Sequence, residues 1–242
     1  VPDDAEVTGA DFRLVNFPRW LNIGAIVACV DSNRSASVLI EDVLGQAQRW
    51  VQPSVGWWVT AATRPVDLEP ALVDRGAVQE DTVDVLALHL TGAGPDLGPL
   101  TGVSAERVRT REQHLDVDRV YVSIGQPPAT QDSIEAAMAR EADGTEFRVL
   151  GRLDGMPVST GACRVVDGVA RLSGAVTIES ARGRGAYRAV VGERLRIARQ
   201  LGASLALVKA RVATSGPILT RIGFQPYGQE RLFRLTVDTR TG

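Results

Sequence analysis

Two Asp-Gly pairs constrain this chain more than any other feature. Asp154-Gly155 and Asp167-Gly168 separate three runs rich in strand formers, 146–153, 156–166 and 169–178. A two-residue type I′ turn needs positive φ at both central positions, and Asp-Gly supplies it, so the runs are expected as a tight antiparallel meander. Parallel strands need long crossovers, so these runs cannot belong to a purely parallel layer. In the third run Ala170, Leu172, Gly174, Val176 and Ile178 are expected to share one face. The apolar period then turns helical: Val191, Leu195, Ala198 and Leu201 mark one side of a long helix that Gly202 ends.

The remaining segments are placed by the same signals. The apolar run 24–30 suits a buried strand, and Ile40, Val43, Leu44, Ala47 and Val51 form the face of a following helix. Trp57–Thr60 is rich in strand formers, Asp67 can cap a short helix that Gly76 ends, and 83–90 is expected as a strand. Trp50, Trp57 and Trp58 are expected in the core. Residues 92–102 hold four glycines and two prolines and are expected as a linker. The domain division is therefore placed as 1–95, a linker over 96–102, and 103–242. The second part begins with a strand over 103–108 and helices around 111–118 and 131–141. After the meander and the long helix come a strand over 204–209, a short helix from Ser215 to Gly223, and a strand over 231–237. The order long helix, strand, short helix, glycine, strand occurs twice, over 34–90 and 185–237. Leu72-Val-Asp-Arg-Gly-Ala77 parallels Leu219-Thr-Arg-Ile-Gly-Phe224. The first half is therefore expected to be a degenerate copy of the second.

Composition excludes several classes. Lys and Arg number 27 against 29 Asp and Glu, so no basic field points to a nucleic-acid partner. No apolar run approaches 18 residues, so no membrane association is expected. Two cysteines, Cys29 and Cys163, and two histidines, His89 and His114, cannot build a Cys/His zinc site, and no metal is expected. Two distant thiols are expected to be reduced and buried, which suits the cytoplasm. His114, in a polar stretch, is expected on the surface.

The chemistry concentrates in Ser180-Ala-Arg-Gly-Arg-Gly-Ala-Tyr187, between the meander and the long helix. A glycine-containing loop at a helix start presents backbone N–H groups with no partner inside the helix, and the macrodipole adds positive charge. Gly183 and Gly185 allow close approach of a diphosphate, and Arg182 and Arg184 add charge. The antiparallel setting and the missing Gly-Lys-Ser/Thr disfavour a dinucleotide enzyme or an NTPase.

Over 103–237 the sequence resembles the GNAT superfamily of acyl-CoA-dependent N-acyltransferases. Its Arg/Gln-x-x-Gly-x-Gly/Ala signature maps onto Arg182-Gly-Arg-Gly185-Ala-Tyr187, after the strand Gly174-Ala-Val-Thr-Ile178. Pro217-Ile-Leu-Thr-Arg-Ile-Gly-Phe224 is close to a second segment of the family. The resemblance implies a mixed α/β (α+β) fold with a twisted, mostly antiparallel central sheet flanked by helices, here in a tandem arrangement. It implies acetyl-CoA as cosubstrate: amides of Arg182, Gly183, Arg184, Gly185, Ala186 and Tyr187 at the pyrophosphate, and Val176, Thr177 and Ile178 along the pantetheine arm as an added strand would lie. The activity implied is acetyl transfer to an amine of a small molecule or a protein by direct attack, in a monomer or homodimer. Tyr187 departs from the signature, so its ring must turn away from the pyrophosphate or crowd it. Leu219 stands where many relatives carry a tyrosine that protonates the CoA thiolate. Glu179 is the nearest carboxylate for a general base. Thr214 and Ser215 are hydroxyls near Leu219, expected as a helix cap. A coenzyme-binding or sensing protein without turnover, and a general phosphate binder, are the competing readings.

Overall fold

The computed structural model describes residues 5–18, 23–92 and 94–237, so Ala93 of the expected linker lies outside the described residues. The chain forms two units, one of Val1–Asp84 with Gly228–Gly242 and one of Val85–Tyr227.

In the first unit, strands β1 (Glu6–Thr8), β2 (Phe12–Asn16) and β3 (Ala25–Val30) pair antiparallel in sequence. Helix α1 (Ala36–Arg49) then crosses over to β4 (Ser54–Thr60), which runs parallel to β3. Helix α2 (Leu68–Asp74) leads into β5 (Val78–His89), a strand that passes into the second unit after Asp84. The first unit is completed from the far end of the sequence. Strand β11 (Gln225–Thr236) pairs antiparallel with β4 from Glu230 opposite Thr60 to Thr236 opposite Ser54. Its Phe233 and Leu235, with the following Val237, join Leu14, Val27, Leu39, Ile40, Trp57 and Leu72 in the core of this unit.

In the second unit β6 (Val103–Arg107), β7 (Glu146–Leu153), β8 (Met156–Val166) and β9 (Val169–Thr177) pair antiparallel in order. Asp154 and Asp167 have φ of 50° and 52°, and Gly155 and Gly168 have 83° and 74°, as the two-residue turns require. Helices α3 (Arg111–Val122) and α4 (Gln131–Arg140) lie between β6 and β7 in sequence. Helix α5 (Ala186–Gln200) carries the chain from β9 to a parallel β10 (Leu205–Arg211), and α6 (Ser215–Ile222) follows. The core of this unit gathers Phe147, Val149, Leu172, Val190, Leu195, Leu219 and Phe224.

Four expectations are corrected. The residues Ala170 to Ile178 do not share one face: Ala170 and Leu172 pack with α5, whereas Val176 and Ile178 pack with Val117, Val120 and Tyr121 of α3. The register slips between Thr160 and Ala162, placing an extra residue of β9 at Gly174-Ala175, and a bulge inverts the alternation beyond it. Cys29 is exposed while Cys163 is buried, because a second bulge between β2 and β3 turns Ala28 and Cys29 outward together. The segment 94–102 is packed onto the second unit. Leu97 belongs to its core, and Arg188 of α5 donates to the carbonyls of Leu97 and Pro99. The fourth concerns His114, which is 6% exposed.

Candidate functional site

Strands β9 and β10 are paired from Val169 opposite Leu205 as far as Leu172 opposite Val208. The β9 residues beyond Leu172 include the bulge, and Gly174 and Ala175 are exposed. Gly174 has φ of +57°, a conformation that favours glycine. From the bulge the strand continues through Val176, Thr177 and Ile178, all half-buried, into a short turn over Glu179–Ala181 and then the glycine loop.

Arg182, Gly183 and Arg184 are exposed, and Gly185 and Ala186 are buried. Gly185 occupies the N-cap of α5 with φ of +92°, and Ala189 is the residue whose N–H closes the first turn, onto the Gly185 carbonyl at 3.0 Å. The N–H groups of Ala186, Tyr187 and Arg188 therefore have no acceptor within the helix. A Cβ at Gly183 would meet nothing within 4 Å, so this side of the loop is open. A Cβ at Gly185 would lie 3.2 Å from Leu100, because the 94–102 segment covers that side. Arg184 is 3.5 Å from Asp154 in an exposed pair. This arrangement fits a diphosphate: free amides, a helix N-terminus, guanidinium groups and no side chain filling the open flank.

The Tyr187 ring turns away from the loop. It packs against the second unit's core near the guanidinium of Arg194, and burial holds its phenol above the ordinary value. Arg194, 1% exposed, was not singled out by sequence, since its place on a helix suits a solvated residue. Its guanidinium reaches the carbonyl of Ala162 at 3.1 Å and that of Ser173, beside the bulge, at 3.4 Å. Burial pulls its pKa down. A cation thus stands behind the exposed bulge, bonded to carbonyl oxygens.

Of two further groups, Tyr121 escaped the sequence reading and His114 was expected on the surface. Tyr121, on the last turn of α3, donates from its hydroxyl to the Gly174 carbonyl at 2.7 Å, and burial holds its phenol high. His114 lies 3.8 Å from Glu141, which pairs with Arg148, and burial with the nearby Arg148 cation lowers the imidazole to about 4. A helical pattern of polar residues gives no sign of either contact, which arises only when α3 and α4 pack on the sheet.

The other expected site residues fall as follows. Glu179 is exposed at the start of the short turn. Leu219 is fully buried in the second unit's core. Thr214 is the N-cap of α6 but makes no side-chain capping bond, so the cap expected from its hydroxyl is not formed; its φ and ψ of −132° and −74° are not the extended cap conformation. Among the described residues no group of three or more His, Cys, Asp or Glu is placed to hold a metal.

The first unit contains the corresponding strand–helix–strand, and there the gap is closed. Beyond the paired stretch of β3 and β4, Arg64 N–H donates to Val30 O at 3.3 Å, and Ser32 N–H to Arg64 O at 3.2 Å. Ahead of α1, the Asp11 carboxylate accepts from Ser32 Oγ and stands 3.6 Å from Arg34. An acid occupies the approach to this helix N-terminus, and a loop bridges the strands.

No family model matches the chain, and no curated protein matches its sequence. Solved structures do match. A GCN5-related N-acetyltransferase from Kribbella flavida aligns with a TM-score of 0.68 at 18% identity, over 95% of this chain and 89% of that one. One from Sphaerobacter thermophilus gives 0.68 at 16%, over 95% and 81%. A tandem GNAT protein from the clavulanic acid biosynthesis pathway gives 0.60 at 14%, over 98% and 85%. The chain therefore has the fold of the GCN5-related N-acetyltransferases, a mixed α/β architecture with mostly antiparallel strand pairing, as the resemblance in its second half implied.

Proposed function

We propose that the chain is an acyl-CoA-dependent N-acetyltransferase that moves acetyl from acetyl-CoA to an amine of a small molecule or protein, with one coenzyme site, in 103–242. The observation that carries this reading is the glycine loop, whose free amides and open flank at Gly183 follow an exposed strand segment. The diphosphate rests on the amides of Gly183, Gly185, Ala186 and Tyr187, since the N–H groups of Arg182 and Arg184 already donate to the carbonyls of Glu179 and Ala181 at 3.1 and 3.4 Å. The pantetheine arm lies along Val176–Ile178. The amine nitrogen attacks the thioester carbonyl directly, the C–N bond forms, and the C–S bond breaks. A backbone N–H of β9 at the exposed bulge holds the developing oxyanion. The 1–95 segment is the degenerate copy, its equivalent gap closed by Arg64 and Asp11.

Replacing Gly183 tests the reading. Asn tolerates the φ of +76° and adds no charge, whereas Asp adds a carboxylate where the diphosphate would lie. Calorimetry is expected to give one acetyl-CoA per chain, an affinity for G183N within about fivefold of wild type, and a loss of about 30-fold or more for G183D. Equal affinities for G183N and G183D, or two equivalents per chain, would count against it. A coenzyme-sensing protein without turnover is favoured by one feature: Leu219 is wholly buried where a proton donor is common in relatives. Tight binding with no thiol release over an amine panel would select that reading.

A further inference from the structure

We propose that Tyr121 donates the hydrogen bond that stabilises the departing coenzyme thiolate, a role that rests on the coenzyme reading above. Leu219 has no proton to give and lies in the apolar core. The phenol of Tyr121 sits instead against the β9 bulge, 2.7 Å from the Gly174 carbonyl. It is close enough that a Cβ on Gly174 would stand 3.1 Å from the hydroxyl. The ring is fixed by packing with Val117, Val120, Leu150, Val176 and Ile178. The helix that carries it is fixed by a capping box, Thr110 accepting from the Gln113 N–H and the Gln113 side chain accepting from the Thr110 N–H. Its position is therefore set by the fold and does not depend on a mobile loop.

Length places the sulfur there. The pantetheine arm has two amide units and a terminal cysteamine, the reach of four or five residues of extended chain at about 3.3 Å each. An arm that begins at the loop and follows Ile178, Thr177 and Val176 ends beside Gly174 and Ala175, both exposed. The step balances without any added reactant. The amine lone pair forms the C–N bond, and the C=O reforms as the C–S bond breaks with its electron pair on sulfur. Tyr121 keeps its proton, since burial holds its phenol above the ordinary value, and donates a hydrogen bond to that sulfur. The nitrogen releases its surplus proton to water, and the thiolate takes one up from water after it leaves. The hydroxyl hydrogen is a rotor, so it can leave the Gly174 carbonyl and turn to sulfur with no movement of the ring.

The test separates this role from the reading beneath it. Acetyl-CoA and free CoA are titrated by calorimetry into wild type and Y121F at pH 7 and pH 9.5, with circular dichroism to confirm folding. Both proteins are expected to bind acetyl-CoA with affinities within twofold. At pH 9.5, where an alkyl thiol of reference pKa about 8.5 is ionised, Y121F is expected to bind CoA about tenfold more weakly than wild type, the size of a hydrogen bond to an ion. At pH 7 the two should agree within threefold. Normal acetyl-CoA binding with equal CoA affinities at pH 9.5 overturns the role of Tyr121 alone. Weakened acetyl-CoA binding in Y121F also overturns it, because the residue is then structural. No acetyl-CoA binding by wild type overturns the coenzyme reading and the role of Tyr121 with it.

Discussion

Single residues show how burial sets chemistry. His114 lies beside Arg148 and Glu141, with Arg107 and Arg109 lining the same cavity of about 320 Å³. Its folded pKa of about 4 is below the reference of 6.5, so the unfolded chain binds more protons between those values. Stability is therefore lost from this group as pH falls from about 6.5 to about 4, and no further loss comes below that. Glu141 acts in the opposite sense, since burial raises its pKa and its neutral form is favoured in the fold. Comparing wild type with H114Q at pH 7 and pH 5 isolates the histidine, because Glu141 is common to both. In urea titrations wild type is expected to lose about 2 kcal/mol more than H114Q over that interval. Parallel pH dependence in the two proteins would show that the imidazole keeps its ordinary pKa.

At the scale of elements, α5 is held on two sides. One side covers β7 and β8, where a Cβ at Gly151 would lie 2.7 Å from Val190 and one at Gly161 would lie 2.9 Å from the Arg194 guanidinium. These glycines let the helix approach the strands closely. The other side carries the 94–102 segment. Gly185, Gly192 and Arg199, spaced seven residues apart, face Leu100, Leu97 and Gly94 in turn. A Cβ at Gly192 would lie 2.2 Å from the end of Leu97, so a helix-weakening glycine is kept for packing. In an L97A background, G192A is expected to stabilise by about 1 kcal/mol through helix propensity. In the wild-type background the same change should be neutral or destabilising, with a coupling of about 1 kcal/mol or more in the double-mutant cycle. Additive effects would mean that the segment is not packed there. The repeated six-residue helix ends obey one rule as well. Ala77 N–H returns to Leu72 O at 3.0 Å and Phe224 N–H to Leu219 O at 3.1 Å, around Gly76 and Gly223 at φ of 83° and 110°.

For the whole molecule, the division of the sequence and the division of the fold differ. The first unit takes Gly228–Gly242 from the end of the chain, and its core contains Phe233, Leu235 and Val237. A fragment of residues 1–95 keeps most of the apolar residues of that core but loses the strand paired along the whole of β4. It is expected to be unfolded or aggregated by circular dichroism and size-exclusion chromatography, since a parallel strand edge and an open core would both face water. A cooperatively folding, monomeric 1–95 fragment would show that β11 is dispensable. Among the described residues no helix is long and apolar enough to cross a membrane.

The sequence by itself determined what depends on neighbours along the chain. The meander from 146 to 177 was legible because Asp-Gly turns are two residues long, and α5 because its period and Gly202 are local. The glycine loop was legible because an anion cradle at a helix start needs only consecutive residues. Its flank at Gly185 was not, since Leu100 arrives from a segment read as a free linker. The bulge at Gly174 was hidden because an extra residue in a strand is defined by its partner strand, and it alone inverts the alternation expected for Ala170–Ile178. Arg194, Tyr121 and His114 were read as surface residues or passed over because burial belongs to the assembled layers. Tertiary structure decided which polar groups lost water, and losing water gives each of them its chemistry.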